Sequence, residues 1–226
     1  MTTISCIIPT YNEETRIRRV LDVVTSHPLI TEIVVVDDGS ADATRKIVTE
    51  YPHVKLIVHE RNQGKSMAIY TGIKASTGTF LLLIDADLIG MTQEDITKLI
   101  QPILEQRADV CISLRRNAPR LWHRIGIDYI SGERIFPRNT IEPHLEAIHA
   151  LPGFGLEVFF NRWIIRTKSR IKIVEWNTVD SPYKYKKYGW YRGIIKDIGM
   201  IYDIMKTISP IGPLYQIIKM RKLRVP

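Results

Sequence analysis

Five short runs rich in Val, Ile and Leu punctuate the first half of this chain, at residues 3–8, 32–36, 54–59, 79–84 and 108–113, each bounded by polar or turn residues. Runs of this length without polar alternation read as strands buried on both faces. Helical patterns fill the intervals. Ile17, Val20, Leu21 and Val24 recur at helical spacing, Ser40 stands where it can cap a helix over 41–50, and residues 65–75 suit another. Thr92 and Asp95 have the spacing of a capping box ahead of a helix over 93–106. Strand alternating with helix predicts an α/β fold, a mainly parallel sheet covered by helices on both faces. Ligands of such sheets bind outside the carboxyl ends of the strands.

Three of those strand ends carry chemistry. The first gives Pro9-Thr10-Tyr11-Asn12-Glu13-Glu14, the second Asp37-Asp38-Gly39-Ser40, and the fourth Asp85-Ala86-Asp87. Asp85 and Asp87 lie one residue apart, so in an extended segment both carboxylates share a face. Paired anionic oxygens at the end of a buried strand call for a cation between them, and a divalent metal suits hard carboxylate ligands. After the third strand, Gly64 permits close backbone approach and Lys65 offers a cation for a phosphate at a helix start. No G-x-G-x-x-G follows the first strand and no P-loop pattern occurs, which argues against dinucleotide redox chemistry and NTP hydrolysis.

At 226 residues the chain fits one large domain, and its 45% hydrophobic and 25% charged residues are those of an ordinary globular protein. Cys6 and Cys111 are far apart in apolar runs, so no disulfide framework is expected, and no apolar stretch reaches the roughly 20 residues of a membrane span. A cytoplasmic protein is the expectation, with association at the inner face of a membrane only peripheral. The formal net charge of +8 is uneven: residues 1–112 hold 11 Lys/Arg against 15 Asp/Glu, a net of −4, and residues 113–226 hold 21 against 9, a net of +12. A basic half suits anionic lipid or a phosphorylated substrate. It would also suit nucleic acid, but no nucleic-acid motif is present and the acidic strand ends would then serve nothing.

The segments SCIIPTYNEE, EIVVVDDGSADAT, ERNQGKSMAIYTGIKASTG and LLLIDADL occur in the order and approximate spacing of family 2 glycosyltransferases, which have the GT-A fold. The chain resembles that family densely over about its first 115 residues. SLRR, DYISGERIFPR and GFGLEVFFNR, further on, are similar to the polyprenyl-phosphate sugar synthases within it, such as dolichyl-phosphate mannose synthase. The resemblance implies an inverting hexosyltransferase that uses a GDP- or UDP-hexose and Mg2+ or Mn2+. It implies that Pro9, Tyr11 and Glu13 line the nucleoside pocket, that Asp37 holds the base or ribose, that Lys65 sits near the nucleotide, and that Asp85 and Asp87 hold the metal. In mannose synthase-like members a Gln two residues after the metal motif helps hold the ion; here that position is Ile89, which leaves the third ligand open.

For the acceptor, Arg115, Arg116, Arg124 and Arg134 offer guanidinium groups that match phosphate oxygens. A phosphate nucleophile needs positioning more than deprotonation. Glu157 falls in the first turn of a helix marked by Leu156, Phe159, Phe160, Trp163 and Ile164, where an acid also complements the helix dipole. It is the catalytic candidate beside Asp87, as general base if the acceptor is a soluble or glycan hydroxyl and as a sugar- or cation-orienting group if it is a polyprenyl phosphate. A non-catalytic nucleotide-sugar-binding protein is the remaining alternative. His123, His144 and His149 lack metal-ligand spacing and read as structural or surface residues.

The division expected is a GT-A domain over 1–182, with a nucleotide-sugar half (1–112) and an acceptor half (113–182), then a basic amphipathic extension over 183–226. In the extension, aromatic rings alternate with lysines from Tyr183 to Trp190, and apolar residues recur at helical steps to Met205. Leu214, Tyr215, Ile217 and Ile218 then precede Lys219, Arg221, Lys222 and Arg224 as a second short helix. Such helices suit an anionic membrane surface, an integral membrane partner, the domain itself or the mate in a homodimer.

Overall fold

A computed structural model gives the fold and describes residues 2–149, 151, 155–182 and 212–226. Four parallel strands form one side of the sheet: β1 (Ile4–Thr10), β2 (Glu32–Asp37), β3 (Val54–Val58) and β4 (Phe80–Leu83). β5 (Val110–Arg115) and β7 (Ile171–Trp176) are parallel to one another at the other side, and β6 (Arg134–Pro137) runs antiparallel between β4 and β5. The resulting order is β3-β2-β1-β4-β6-β5-β7 in one seven-stranded sheet. The mainly parallel sheet expected from the sequence is therefore present, with one reversed strand, β6, in its interior.

Alternation along β1 sorts the helices between two faces. Cys6 and Ile8 point to the layer made by α1 (Ile17–Thr25) and α4 (Gln93–Leu104), through Val20, Leu21, Val24, Leu99 and Ile100. Ile7, Leu81 and Leu83 point to the opposite layer, where α3 (Lys65–Ala75) and α8 (Gly155–Thr167) contribute Ile69, Ile73, Phe160 and Trp163. Each such side chain, sealed from water, contributes about 1.5–3 kcal/mol of transfer free energy. The two faces are the reason that the central strand sequences are apolar at successive positions; β3, expected to be buried, lies at the sheet's edge and none of its five residues is buried.

Thr92 and Asp95 form the expected capping box: the Thr92 side chain accepts from the Asp95 amide, and Asp95 accepts from the Thr92 amide at 3.0 Å. The helix expected over 41–50 is shorter, α2 (Thr44–Val48), and Ser40 does not cap it. Asp42 accepts from the Thr44 amide at 3.0 Å, while the Ser40 hydroxyl accepts from the Asn12 amide at 2.9 Å. α5 (Arg120–Ile125), α6 (Arg138–Ile141) and α7 (Leu145–His149) are short connections.

The tail expectation divides. Residues 183–211, which hold the Tyr/Lys segment and the pattern ending at Met205, lie outside the described residues. The second helix is α9 (Gly212–Lys222), and it packs on the domain. Ile217 and Met220 are buried, and Tyr129 donates to Gln216 at 2.7 Å. Beyond it, Ile171 donates to Leu223 and Val225 donates back to Ile171, both at 2.9 Å, which ties the C-terminal residues to the start of β7. No helix among the described residues is long and apolar enough to cross a membrane.

Candidate active site

The loops after β1 and β2 are stitched into one wall. Asn12 adopts φ 54°, a left-handed conformation that Asn tolerates, and this turns its backbone toward the second loop. Its amide donates to Ser40, its side chain accepts from Ala41 at 2.8 Å, and the Glu13 amide donates to Thr44 at 2.8 Å. Pro9, Tyr11, Glu13 and Asp37 thereby share one stretch of the sheet's carboxyl edge. Tyr11 is 39% exposed, whereas the Glu13 carboxylate is buried against Arg16 at 3.1 Å. Asp37 is fully buried and accepts from Arg45 Nε at 2.6 Å and from the Ser40 amide at 3.2 Å. Its Oδ1 has no hydrogen-bond partner, an acceptor left open in a buried place.

Asp38 organises the third loop. It accepts from the Gln63 amide at 2.9 Å, the Gly64 amide at 2.7 Å and His59 Nδ1 at 2.8 Å, while His59 Nε2 meets Thr71 Oγ1 of α3 at 3.0 Å. Gly39, at φ 77°, admits this approach because a Cβ there would lie 2.7 Å from the backbone of Arg61 and Asn62. The loop so fixed delivers Lys65 as the first residue of α3.

Lys65 does not stand alone at the nucleotide edge. Its ammonium lies 2.8 Å from Asp85 Oδ1 and 3.3 Å from Glu157 Oε1, joining the end of β4 to the first turn of α8. Burial acts to lower its pKa, but Asp85 and Glu157 outweigh it and hold Lys65 above its ordinary range, so it is charged at any physiological pH. The cation that the sequence demanded beside Asp85 is, in part, this lysine. Asp87 follows at the same strand end, half-buried.

A deeper tier surrounds these groups. Arg115 pairs with Asp128 at 3.2 Å and faces Glu133 at 3.6 Å, all of them largely enclosed. Glu133 Oε2 is met by the hydroxyls of Ser113 and Ser131 at 2.8 Å each. Burial, with Asp85 nearby, pushes the Glu133 carboxyl upward against the pull of Arg115. Arg134 is 1% exposed, donates to the Ser131 carbonyl and lies 5.1 Å over the Phe160 ring. Its burial lowers its pKa, and Glu157, Glu133, Asp128 and Asp85 counter that effect. Glu157 itself is 2% exposed, and its Oε2 has no hydrogen-bond partner.

The four arginines thus separate. Arg115 and Arg134 belong to the enclosed network, Arg116 is paired on the surface with Asp180, and Arg124 lies exposed in the last turn of α5. Arg134, expected as a phosphate ligand, is closed off from solvent in this structure.

Among the described residues no group of three or more His, Cys, Asp and Glu side chains converges as a metal cage. The residues present nonetheless fit a divalent ion that brings other ligands. Asp85 and Asp87 supply hard oxygen donors, and the space before Asp85 is kept clear by Gly132: a Cβ at that position would lie 2.7 Å from Lys65 Nζ and 2.8 Å from Asp85 Oδ2. Ile89 is 37% exposed and its side chain supplies no donor, so the third ligand of such an ion would come from diphosphate, water or a more distant side chain.

Sequence reading missed Asp38, Asp128 and Glu133. Asp38 adjoins Asp37 in an ordinary-looking turn, and Asp128 and Glu133 lie within DYISGERIFPR, a stretch without apolar periodicity. A signal was available for the last two: acids flanking a serine and a glycine beside a run of arginines must be paired if the stretch is buried.

Residues 5–167 match the family model described as Glycosyl transferase family 2. The glycosyltransferase GlyA of Streptococcus pneumoniae serotype 4 is 34% identical over 162 residues, covering 68% of this chain and 23% of that protein. The dolichyl-phosphate beta-glucosyltransferase of Homo sapiens is 36% identical over 130 residues, covering 48% of this chain and 40% of that protein. The matched part thus amounts to well under two thirds of the length of either relative. Glucosyl-3-phosphoglycerate synthase from Mycobacterium tuberculosis, solved in complex with Mn2+, uridine diphosphate and phosphoglyceric acid, superposes with a TM-score of 0.72 at 21% identity, over 91% of this chain and 78% of that one. This last likeness is one of fold.

Proposed function

The chain belongs to glycosyl transferase family 2 and has the expected GT-A fold, and from that premise we propose that it moves a hexose from a nucleoside diphosphate sugar to a polyprenyl phosphate, with inversion. The observation that carries the reading is the convergence of Asp85, Lys65 and Glu157, from β4, α3 and α8, beside an arginine tier at the sheet's carboxyl edge. The resemblance to dolichyl-phosphate beta-glucosyltransferases supports a lipid phosphate acceptor and glucose as the sugar.

In this reading Asp37, with its open Oδ1, accepts from the nucleoside, and Tyr11 covers it. Asp85 and Asp87 would hold Mg2+ or Mn2+, which when bound supplies charge compensation to the departing diphosphate. Lys65 donates to a phosphoryl oxygen from its seat between two carboxylates. The acceptor phosphate oxygen forms its bond to the anomeric carbon as the bond to the diphosphate breaks, and the electron pair leaves with the nucleoside diphosphate. No proton need be taken from the acceptor. Glu157, through the unpaired Oε2, orients a sugar hydroxyl.

That same buried, unpaired oxygen favours a second reading, in which the acceptor is an alcohol and Glu157 takes its proton. A panel of UDP- and GDP-hexoses with Mn2+ decides between them. Offered dolichyl or undecaprenyl phosphate and, separately, hydroxyl acceptors, the protein is expected to yield a lipid-linked sugar extractable into organic solvent. Product only with hydroxyl acceptors would overturn the lipid-phosphate reading.

A further inference from the structure

Among the described residues, four of the most exposed large apolar side chains lie on two neighbouring helices: Leu121 (57%) on α5, and Leu214 (59%), Tyr215 (54%) and Ile218 (49%) on α9. The helices are joined beneath them, since Ile217 of α9 clusters with Trp122 and Ile125 of α5, and Arg224 donates to the Ile125 carbonyl at 3.5 Å. On α9 the division is sharp. Gln216, Ile217 and Met220 face the domain, whereas Leu214, Tyr215 and Ile218 face outward at helical spacing, with Lys219 and Lys222 beside them. Arg120, Arg124, Lys219, Arg221, Lys222 and Arg224 are all exposed, and neither α5 nor residues 212–226 contain an Asp or Glu.

We propose that this α5–α9 face docks on an anionic phospholipid bilayer. Outward apolar side chains enter the headgroup boundary while long basic side chains remain with the lipid phosphates, the division that an interfacial helix requires. A second copy of the chain would bring six like charges against six.

The face is also wired to the site. Tyr129, which donates to Gln216 of α9, follows Asp128, the partner of Arg115; Gln216 donates in turn to the Val158 carbonyl at 3.5 Å, next to Glu157. Docking would therefore set the arginine tier and Glu157 at a fixed height above the lipid. That purpose rests on the lipid-acceptor reading, but the docking itself is measurable without donor or acceptor.

The test is co-sedimentation of the full chain with vesicles of phosphatidylglycerol and phosphatidylcholine, and with phosphatidylcholine alone, at low and high salt. Binding is expected only to the anionic vesicles and to weaken with salt. Leu214→Ser with Ile218→Ser, and separately Lys219→Glu with Lys222→Glu, should each lower the partition coefficient by on the order of tenfold or more at low salt. All four positions are exposed, so thermal unfolding of both double variants should match the parent. Parent-like binding by both variants would overturn the proposal, because residues 183–211 would then suffice. Failure of the parent to bind, or a dimer in light scattering that the Leu214/Ile218 variant dissolves, would overturn it also. A protein that docks but transfers no sugar to lipid phosphate would leave docking intact and remove the acceptor reading.

Discussion

Single residues at the site are defined by which partner each would leave behind. Lys65→Met removes the ammonium between Asp85 and Glu157, leaving two enclosed carboxylates to repel one another. Turnover should fall by on the order of a hundredfold, as when one donor to a developing oxyanion is lost, and steady-state kinetics on the purified variant would show it. Glu157→Gln discriminates acceptor chemistry. With a phosphate acceptor it should cost less than about tenfold in kcat, whereas a hydroxyl acceptor that needs a base should lose about 10²- to 10⁴-fold. The two cysteines should be inert: burial pushes the Cys6 thiol well up and the Cys111 thiol to about 12. Titration of the folded protein with a thiol reagent at pH 8 should therefore find no reactive group until denaturant is added.

At the scale of elements, the loop after β3 is held by Asp38, and that hold depends on a carboxylate. In Asp38→Asn an amide N–H₂ would face either the Gly64 amide or the Gln63 amide and His59, so a backbone donor loses its acceptor. We expect a loss of about 1–3 kcal/mol in urea unfolding and a raised KM for the donor, since Gly64 positions Lys65. Much of this level was legible in the sequence. Five strands and the Thr92 box were readable because four of those strands are buried and apolar on both faces, β3 is an apolar run although it lies half-covered at the edge, and capping chemistry is local. β6 and β7 were not, because Arg-Ile-Phe-Pro carries into the sheet a charge that is met by the Ser131 carbonyl and the Phe160 ring, and Ile-Lys-Ile-Val-Glu-Trp mixes charged and apolar residues, as a partly covered edge strand does. Ser40 was misassigned as a cap for the converse reason: its hydroxyl is claimed by Asn12, 28 residues earlier.

At the scale of the sheet, Arg115, Asp128 and Glu133 gather beside the reversed strand β6, and Gly132 keeps clear the space before Lys65 and Asp85. Asp85, Asp87, Lys65 and Glu157 were legible as candidates because each stands at an element terminus, yet their pairing was not, since it depends on how α8 returns over the sheet. Stability at this scale has a pH signature. Burial opposes ionisation of Glu32, but hydrogen bonds from Ser5 and Thr77 prevail and hold its pKa below the ordinary 4.5. A depressed carboxyl stabilises above its unfolded value and loses that contribution as pH falls through the folded value. Glu32→Gln should therefore be less stable than the parent at neutral pH, with the gap closing well below pH 4.5 in thermal melts.

The central claim is that Asp85 and Asp87 make the end of β4 a metal-assisted sugar-transfer site. Transfer of radiolabelled hexose from its nucleotide donor to polyprenyl phosphate, with Mn2+ and then with excess chelator, tests it in the parent and in Asp87→Asn. The account predicts lipid-linked label from the parent with metal, almost none with chelator, and at least a hundredfold less from a folded Asp87→Asn. Transfer by Asp87→Asn at the parent's rate, or transfer by the parent undiminished by chelator, would contradict it.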